Sequence, residues 1–351
     1  MDREFLKKLL ETASPSGYEK NAALIWKNKA KEFADMVYGD IHGNSIAAIW
    51  TTKYGFLATK IMLAGHIDEI GFIISNINVE GGFLYFQTIG GFDPQILPGQ
   101  RVKIFTKTGK AIKGCIGRTP VHLLSEEERK QAAKTENLWI DVGGKENAKS
   151  ISIGDFAVID YPPELLGGNI LVARGIDDRI GAFIVLEVLR LAEKEKIQNT
   201  IYSVATVQEE IGLRGATTSA FGIEPHVGIA VDVCFATDHP HAKSERTDIK
   251  LGKGPVISIG PNITPSIHEL LVQTAEESNI PYQIEAQPRG TGTDANVIQL
   301  TKRGVATGLV SIPSRYMHTP CEMVDLNDVE NAIKLLARFC EKNIGQMLKT
   351  D

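Results

Sequence analysis

Asp177 and Asp178 are adjacent acids set between two strongly apolar segments. The run Asn169-Ile-Leu-Val172 leads in as a buried strand, and the apolar-periodic segment from Ile180 to Leu191 leaves as a buried helix. Two neighbouring carboxylates at such a junction are costly to bury unless something cationic sits between them. The fold must therefore bring a cation to this loop. Asp177 is the natural hub of a metal site.

The segments on either side set the architecture. Helical spacing covers residues 5–10, and Ser16 followed by Glu19 reads as a capping box opening a second helix to about residue 33. Strands are expected at 45–50 and 60–65, the latter apolar throughout like a central strand covered on both faces. From Gly71 the texture changes to short alternating strands at 72–77, 83–88, 101–106, 111–116 and 156–159, with a polar helix at 125–135. That is the grammar of a small antiparallel barrel. After Gly168 a βα rhythm resumes: strands at 170–172, 201–207, 227–231, 282–286 and 307–312 alternate with helices at 180–194, 214–221, 265–278, 294–302 and 327–348. The expectation is an α/β protein whose mostly parallel, three-layer domain is built from residues 1–70 and 164–351, with a β-barrel domain inserted at 71–163. Ligand sites in such a sheet gather at the carboxyl ends of the strands.

The chain has 351 residues and a net charge of -5, with 38 basic and 43 acidic residues evenly mixed, which argues against a nucleic-acid partner. No apolar run is long enough for a membrane span. The charged, helix-like start at Met1-Asp-Arg-Glu-Phe5 does not read as a signal peptide, so a cytoplasmic location is expected. Cys115, Cys234, Cys321 and Cys340 are scattered and fit neither a disulfide framework nor a structural zinc site; Cys234 and Cys321, near the proposed site, read as small core fillers rather than nucleophiles.

Strand ends carry the chemistry. His66 ends the 60–65 strand with Asp68 two residues on, Asp177 follows the 170–172 strand, and Glu209-Glu210 follow the 201–207 strand. Asp232 follows the 227–231 strand, and His318 lies one short loop beyond the 307–312 strand. Two histidines and three carboxylates suit a pair of divalent ions sharing one carboxylate, which would hold a hydroxide and polarise a carbonyl. Glu209, pointing away from Glu210 on an extended segment, supplies a base that is not a ligand. Asp68 suits an acceptor that orients the His66 ring. Zinc and cobalt both accept this donor set.

The motifs Ala-Gly-His66-Ile-Asp68-Glu-Ile-Gly, Ile-Asp177-Asp178-Arg-Ile-Gly, Gln-Glu209-Glu210-Ile-Gly, Val-Asp232-Val and Arg-Tyr-Met-His318-Thr-Pro together resemble the M42 family of dinuclear metallo-aminopeptidases, the tetrahedral (TET) group. The likeness also takes in Ser14-Pro-Ser-Gly17, Gly43-Asn44 and Gly292-Thr-Asp294-Ala. The resemblance implies Asp177 as the shared ligand, His66 and Asp232 completing one metal, and Glu210 and His318 the other. It implies Glu209 as general base, Asp68 as helper of His66, and a cis peptide between Asp177 and Asp178. It further implies a catalytic domain with a PDZ-like dimerisation barrel, short peptides with a free N-terminus as substrates, and a tetrahedral dodecamer built from dimers. The family spans acidic, neutral and basic preferences; a neutral aliphatic N-terminal residue is expected from family prevalence.

Other readings remain open on residues alone. A related deacylase or carboxypeptidase would share the metal centre, and an assembly module would use only the barrel. A polysaccharide hydrolase using Glu209 and Glu210 is disfavoured, since adjacent carboxylates would not flank a sugar bond. Gly292, Thr293 and Asp294 read either as backbone contacts to substrate or as a tight turn with Thr293 as helix cap. Asp178 and Arg179 read as a helix cap and ion pair, His122 as structural, and His239 and His241 as loop residues.

Overall fold

The computed structural model describes residues 1–51, 58–192, 197–242 and 248–347. An eight-stranded sheet runs Met36–Gly39, Ser45–Ile49, Thr200–Thr206, Lys60–His66, Val227–Phe235, Ala306–Ser314, Val256–Ile259, Gln283–Ala286 in spatial order. Its four central strands, Thr200–Thr206 through Ala306–Ser314, are mutually parallel, while antiparallel pairs join them to the flanks. Alternation along one strand divides two cores. Ile61 and Leu63 pack with Phe183, Leu186 and Leu336 on one face, whereas Met62 and Ala64 pack with Ala216, Ala220 and Ile298 on the other. That is what an uninterrupted apolar strand requires, and it makes the fold three-layered α/β.

Between the strand Lys60–His66 and the strand Thr200–Thr206 the chain forms a closed six-stranded antiparallel barrel. Its strands are Gly71–Asn78, Phe83–Ile89, Trp139–Asp141, Ala111–Gly117, Arg101–Phe105 and Phe156–Ile159, around a separate core of Phe72, Ile74, Ile104 and Ile140. The short Trp139–Asp141 strand, which closes the barrel, gives no alternation signal over three residues. The expected helix at 125–135 shrinks to Glu126–Arg129, opened by a capping box at Ser125. It has no buried face to extend it.

Four further expectations are corrected. The strand Ile170–Ala173 does not join the large sheet; it pairs antiparallel with Glu164–Leu166 and Glu322–Asp325 in a sheet of its own. The Gly167-Gly168 turn, both residues at positive φ, folds the chain back into a hairpin there. Ser16 does not cap the second helix, Lys20–Ala30; its hydroxyl donates to Asp68 Oδ2 at 2.6 Å instead. The helix expected at 294–302 is one turn, Ala295–Ile298, and the last helix stops at Glu341 before a separate turn at Ile344–Met347. Lys194 and Leu348, the expected ends of two helices, lie outside the described residues.

The long helix after Asp178 lies against the strand bearing His66. A Cβ on Gly65 would stand 2.4 Å from the backbone carbon of Gly181, so helix and strand touch main chain to main chain. Gly65→Ala should therefore force the two apart, lowering stability by about 1–3 kcal/mol as overpacking does. Urea unfolding checks this, and an unchanged midpoint would show that the contact is not tight.

Candidate active site

Strand register brings the first groups together. Thr206 pairs with His66 and Ala230 with Ala64, so Asp232, two residues past Ala230, comes level with His66. Glu209 and Glu210 follow just beyond Thr206. Asp177 arrives from the small sheet, at the non-helical opening of the segment Ile176–Leu191, where the Asp177-Asp178 peptide is cis. His318 lies on the loop between Ala306–Ser314 and Glu322–Asp325.

Asp177 is the meeting point. Its Oδ1 lies 3.1 Å from His66 Nε2 and its Oδ2 lies 3.2 Å from His318 Nε2. Glu210 Oε2 stands 3.5 Å from His318 Nε2, and Glu209 Oε2 stands 3.7 Å from His66 Nε2. Donor atoms of His66, Asp177 and Glu210 lie within 4.8 Å of one another, as do those of His66, Glu209 and Asp232. The second grouping takes in Glu209 where the sequence pairs His66 with Asp177 and Asp232. All six side chains line one cavity of about 660 Å³.

The charges are unbalanced. Burial pushes Glu209 up to about 9 and Asp232 up to about 8, and raises Glu210 well above the usual carboxylate range. Asp177 goes the other way: burial opposes its ionisation, but His318 and His66 outweigh it and hold the carboxyl low. Burial alone would also depress His66, yet Glu209, Asp177 and Asp68 raise it well above the usual imidazole value. Glu210 Oε1 is buried without a hydrogen-bond partner. A donor cluster of carboxylate oxygens and imidazoles with surplus buried acid fits divalent cations.

Other acids hold backbone. The Asp68 carboxylate accepts from the amides of Glu209 and Glu210 at 3.1 and 3.2 Å, while its main-chain oxygen lies 3.1 Å from His66 Nδ1. Asp68 thus fixes three site residues at once. Asp178 accepts from the amides of His66 and Gly181, at 3.1 and 3.0 Å, and so joins strand to helix. Arg179 pairs with Glu69, not with Asp178. Glu322, which the sequence reading passed over, is fully buried and accepts from the amides of Asp177 and His318 at 3.1 and 2.9 Å. An acid four residues past His318 was the one available signal.

Gly292 and Thr293 line the cavity, with Gly292 at φ 72°. Asp294 is buried behind it, where Thr206 Oγ1 donates to Asp294 Oδ2 at 2.6 Å and burial pushes its carboxyl up to about 6. Cys234 also lines the cavity, but burial raises its thiol far from nucleophilic range. His239 is exposed, with Nδ1 3.0 Å from the Pro240 carbonyl, and neither it nor His241 joins the cluster. His268 has a partner in the Ser258 carbonyl at 3.0 Å.

Known proteins share this chain's sequence pattern and fold. The family model for M42 glutamyl aminopeptidase matches residues 45–335. A lysyl aminopeptidase of Pyrococcus furiosus is 39% identical over 97% of this chain and 97% of its own. Among solved structures, an aminopeptidase from the archaeon Desulfurococcus kamchatkensis superposes with a TM-score of 0.91 at 39% identity, covering 99% of this chain and 96% of the other. The TET1 peptidase of Pyrococcus horikoshii, described as assembling into a tetrahedron or a large octahedral shell, gives 0.83 at 34% identity over 96% and 98%.

Beside the site lies a buried ion network. Glu69, 1% exposed, takes Arg174 and the fully buried Arg179 on its carboxylate, and also accepts the Ser14 amide at 2.9 Å. Removing the acid strands two guanidinium groups away from water. Glu69→Ala should cost about 3–5 kcal/mol, read by urea unfolding. A loss under about 1 kcal/mol, the range of a surface pair, would show that water reaches the network.

Proposed function

This chain belongs to the M42 aminopeptidase family and hydrolyses peptide bonds, and from that premise we propose that it is a dinuclear-metal aminopeptidase acting on short peptides with a free N-terminus. The observation that carries the reading is Asp177, whose two oxygens face two different histidines. Asp177 would be shared between two divalent ions, zinc or cobalt. His66 and Asp232 would complete one site, Glu210 and His318 the other, for which the unpartnered Glu210 Oε1 would be a free donor atom. When bound, such ions supply Lewis acidity toward a scissile carbonyl and toward the attacking water.

The chain's own residues do the rest. Glu209, held by its amide on Asp68, takes the proton of the attacking water at its carboxylate and returns it to the leaving amine. Asp68 fixes the His66 ring through its main-chain oxygen at Nδ1, which keeps Nε2 turned to the site. Gly292 and Thr293 offer backbone and hydroxyl contacts to the bound peptide.

The segment 71–163 serves as the dimerisation domain, and the rest, 1–70 and 164–351, as the catalytic domain. Like the tetrahedron-forming relative, the chain would assemble into a homo-oligomer, a tetrahedral dodecamer built from dimers, in the cytoplasm. Among the described residues no helix is long and apolar enough to cross a membrane.

Glu209→Gln should lower kcat by about 10²- to 10⁴-fold with metal content by mass spectrometry unchanged. Full activity with metals bound would remove Glu209 from the mechanism. Asp68→Asn keeps the main-chain contact to His66 Nδ1 but removes the carboxylate charge 3.5 Å from it, and should weaken metal affinity by about 10- to 100-fold, measured by competition with a chelating dye. Unaltered affinity would confine Asp68 to holding backbone. N-acetylated peptides should resist cleavage; their preferential hydrolysis would instead mark a deacylase.

A further inference from the structure

Two stretches of the sequence, Ser14-Pro-Ser-Gly17 with Glu19 and Gly43-Asn44, carry no role so far in the metal sites or the proton transfer. Both meet the segment that bears Glu209. Just past the strand Thr200–Thr206, each of four consecutive amides is taken by a side chain. Val207 donates to Asn44 Oδ1 at 3.1 Å, Gln208 to Glu19 Oε1 at 3.2 Å, Glu209 to Asp68 Oδ1 at 3.1 Å and Glu210 to Asp68 Oδ2 at 3.2 Å. The chain turns here, with Gln208 in the left-handed region at φ 56°, which an L side chain seldom adopts. Such a residue keeps its conformation only where its surroundings fix it.

Of these acceptors, Glu19 acts most narrowly on the turn. Asn44 also donates to Asp40 and to the Gly215 carbonyl, and Asp68 also accepts from Ser16 and lies 3.5 Å from His66 Nδ1. Glu19, only 7% exposed, accepts at Oε1 from the amides of Gly17, at 2.7 Å, and Gln208. The stretch that carries it is tied to the residues around Asp68. Ser14 Oγ donates to the Ile67 carbonyl at 2.9 Å, and Ser16 and Glu69 are joined through the Ser16 amide at 3.2 Å. Burial, and after it the Asp68 charge, pushes the Glu19 carboxyl up to about 7. Glu19 and Asp68 thus lie close together and take the amides of Gln208, Glu209 and Glu210 in turn.

We infer that Glu19 is a positioning residue for the general base: by holding the Gln208 amide it sets where the Glu209 carboxylate stands. The inference rests on the reading of Glu209 as general base given above. Without this acceptor Gln208 can leave its left-handed conformation, and a rotation there swings Glu209, the next residue, out of line with the attacking water. Glu19 touches neither substrate nor metal ligand side chains, so its removal acts on the chemical step and not on binding. A reacting group held about 1 Å out of place costs on the order of 10²-fold in rate.

The test is a double-mutant cycle on the metal-loaded enzyme. It measures kcat and KM on lysyl and leucyl p-nitroanilides for the wild type, Glu19→Ala, Glu209→Gln and the two combined, with Glu19→Gln beside them. Glu19→Ala should lower kcat by about 10- to 100-fold, with KM and the metal content by mass spectrometry unchanged. Glu19→Gln, which keeps an oxygen acceptor, should hold kcat within about 3-fold of the wild type. In the Glu209→Gln background Glu19→Ala should cost less than about 3-fold more, because the group it positions is gone. Equal losses in both backgrounds would make Glu19 a residue of the fold alone and overturn the inference, as would an unchanged kcat in Glu19→Ala. Where Glu19→Ala does not fold, Glu19→Asp replaces it in the cycle, since it keeps the charge but withdraws the acceptor by one methylene; the same pattern is expected and the same outcomes overturn it. Full activity of Glu209→Gln alone refutes the base assignment, and the inference with it. A wild type that cleaves neither anilide, but does cleave N-acetylated peptides, refutes only the aminopeptidase reading, and the cycle is then read on those peptides.

Discussion

One carboxylate contacting two imidazoles orders everything around it. Asp177 reaches His66 through one oxygen and His318 through the other, and these residues come from three segments far apart in the chain. Burying that carboxylate with Glu209, Glu210 and Asp232 concentrates negative charge that water cannot solvate. The surrounding acids solve a different problem. Asp68, Asp178 and Glu322 each accept two backbone amides, and between them tie down His66, Asp177, Gly181, Glu209, Glu210 and His318. The site is positioned by acids as much as it is composed of them.

Packing supplies the rigidity those hydrogen bonds need. The central strands are buried on both faces, and the Gly65–Gly181 contact sets the distance between the His66 strand and the helix that follows Asp178. Glu69 with Arg174 and Arg179 locks the start of that helix to the carbonyls of Leu9 and Thr12 near the N-terminus. A side chain that moves the loop therefore disturbs a core, a sheet edge and an ion network together.

Much of this was legible in the sequence for a simple reason. Apolar runs that end abruptly in His or Asp mark the carboxyl ends of parallel strands, so His66, Glu209, Glu210 and Asp232 could be placed side by side before any coordinates. The barrel was legible from its alternation and turns. What escaped was short or non-local. Trp139–Asp141 and Glu322–Asp325 are too brief to show a period, and the strand before Asp177 gave no sign that its partners lie in a separate antiparallel sheet. Ser16 reads as a cap until its hydroxyl is seen on Asp68.

If Asp177 serves two ions at once, as proposed, metal stoichiometry reads it directly. Isothermal titration of the metal-stripped protein with Zn²⁺, for the wild type and Asp177→Asn, counts the ions per chain. Two tight sites in the wild type and none of comparable affinity in Asp177→Asn is the predicted result. A single site in the wild type, or two sites surviving in Asp177→Asn, would contradict it.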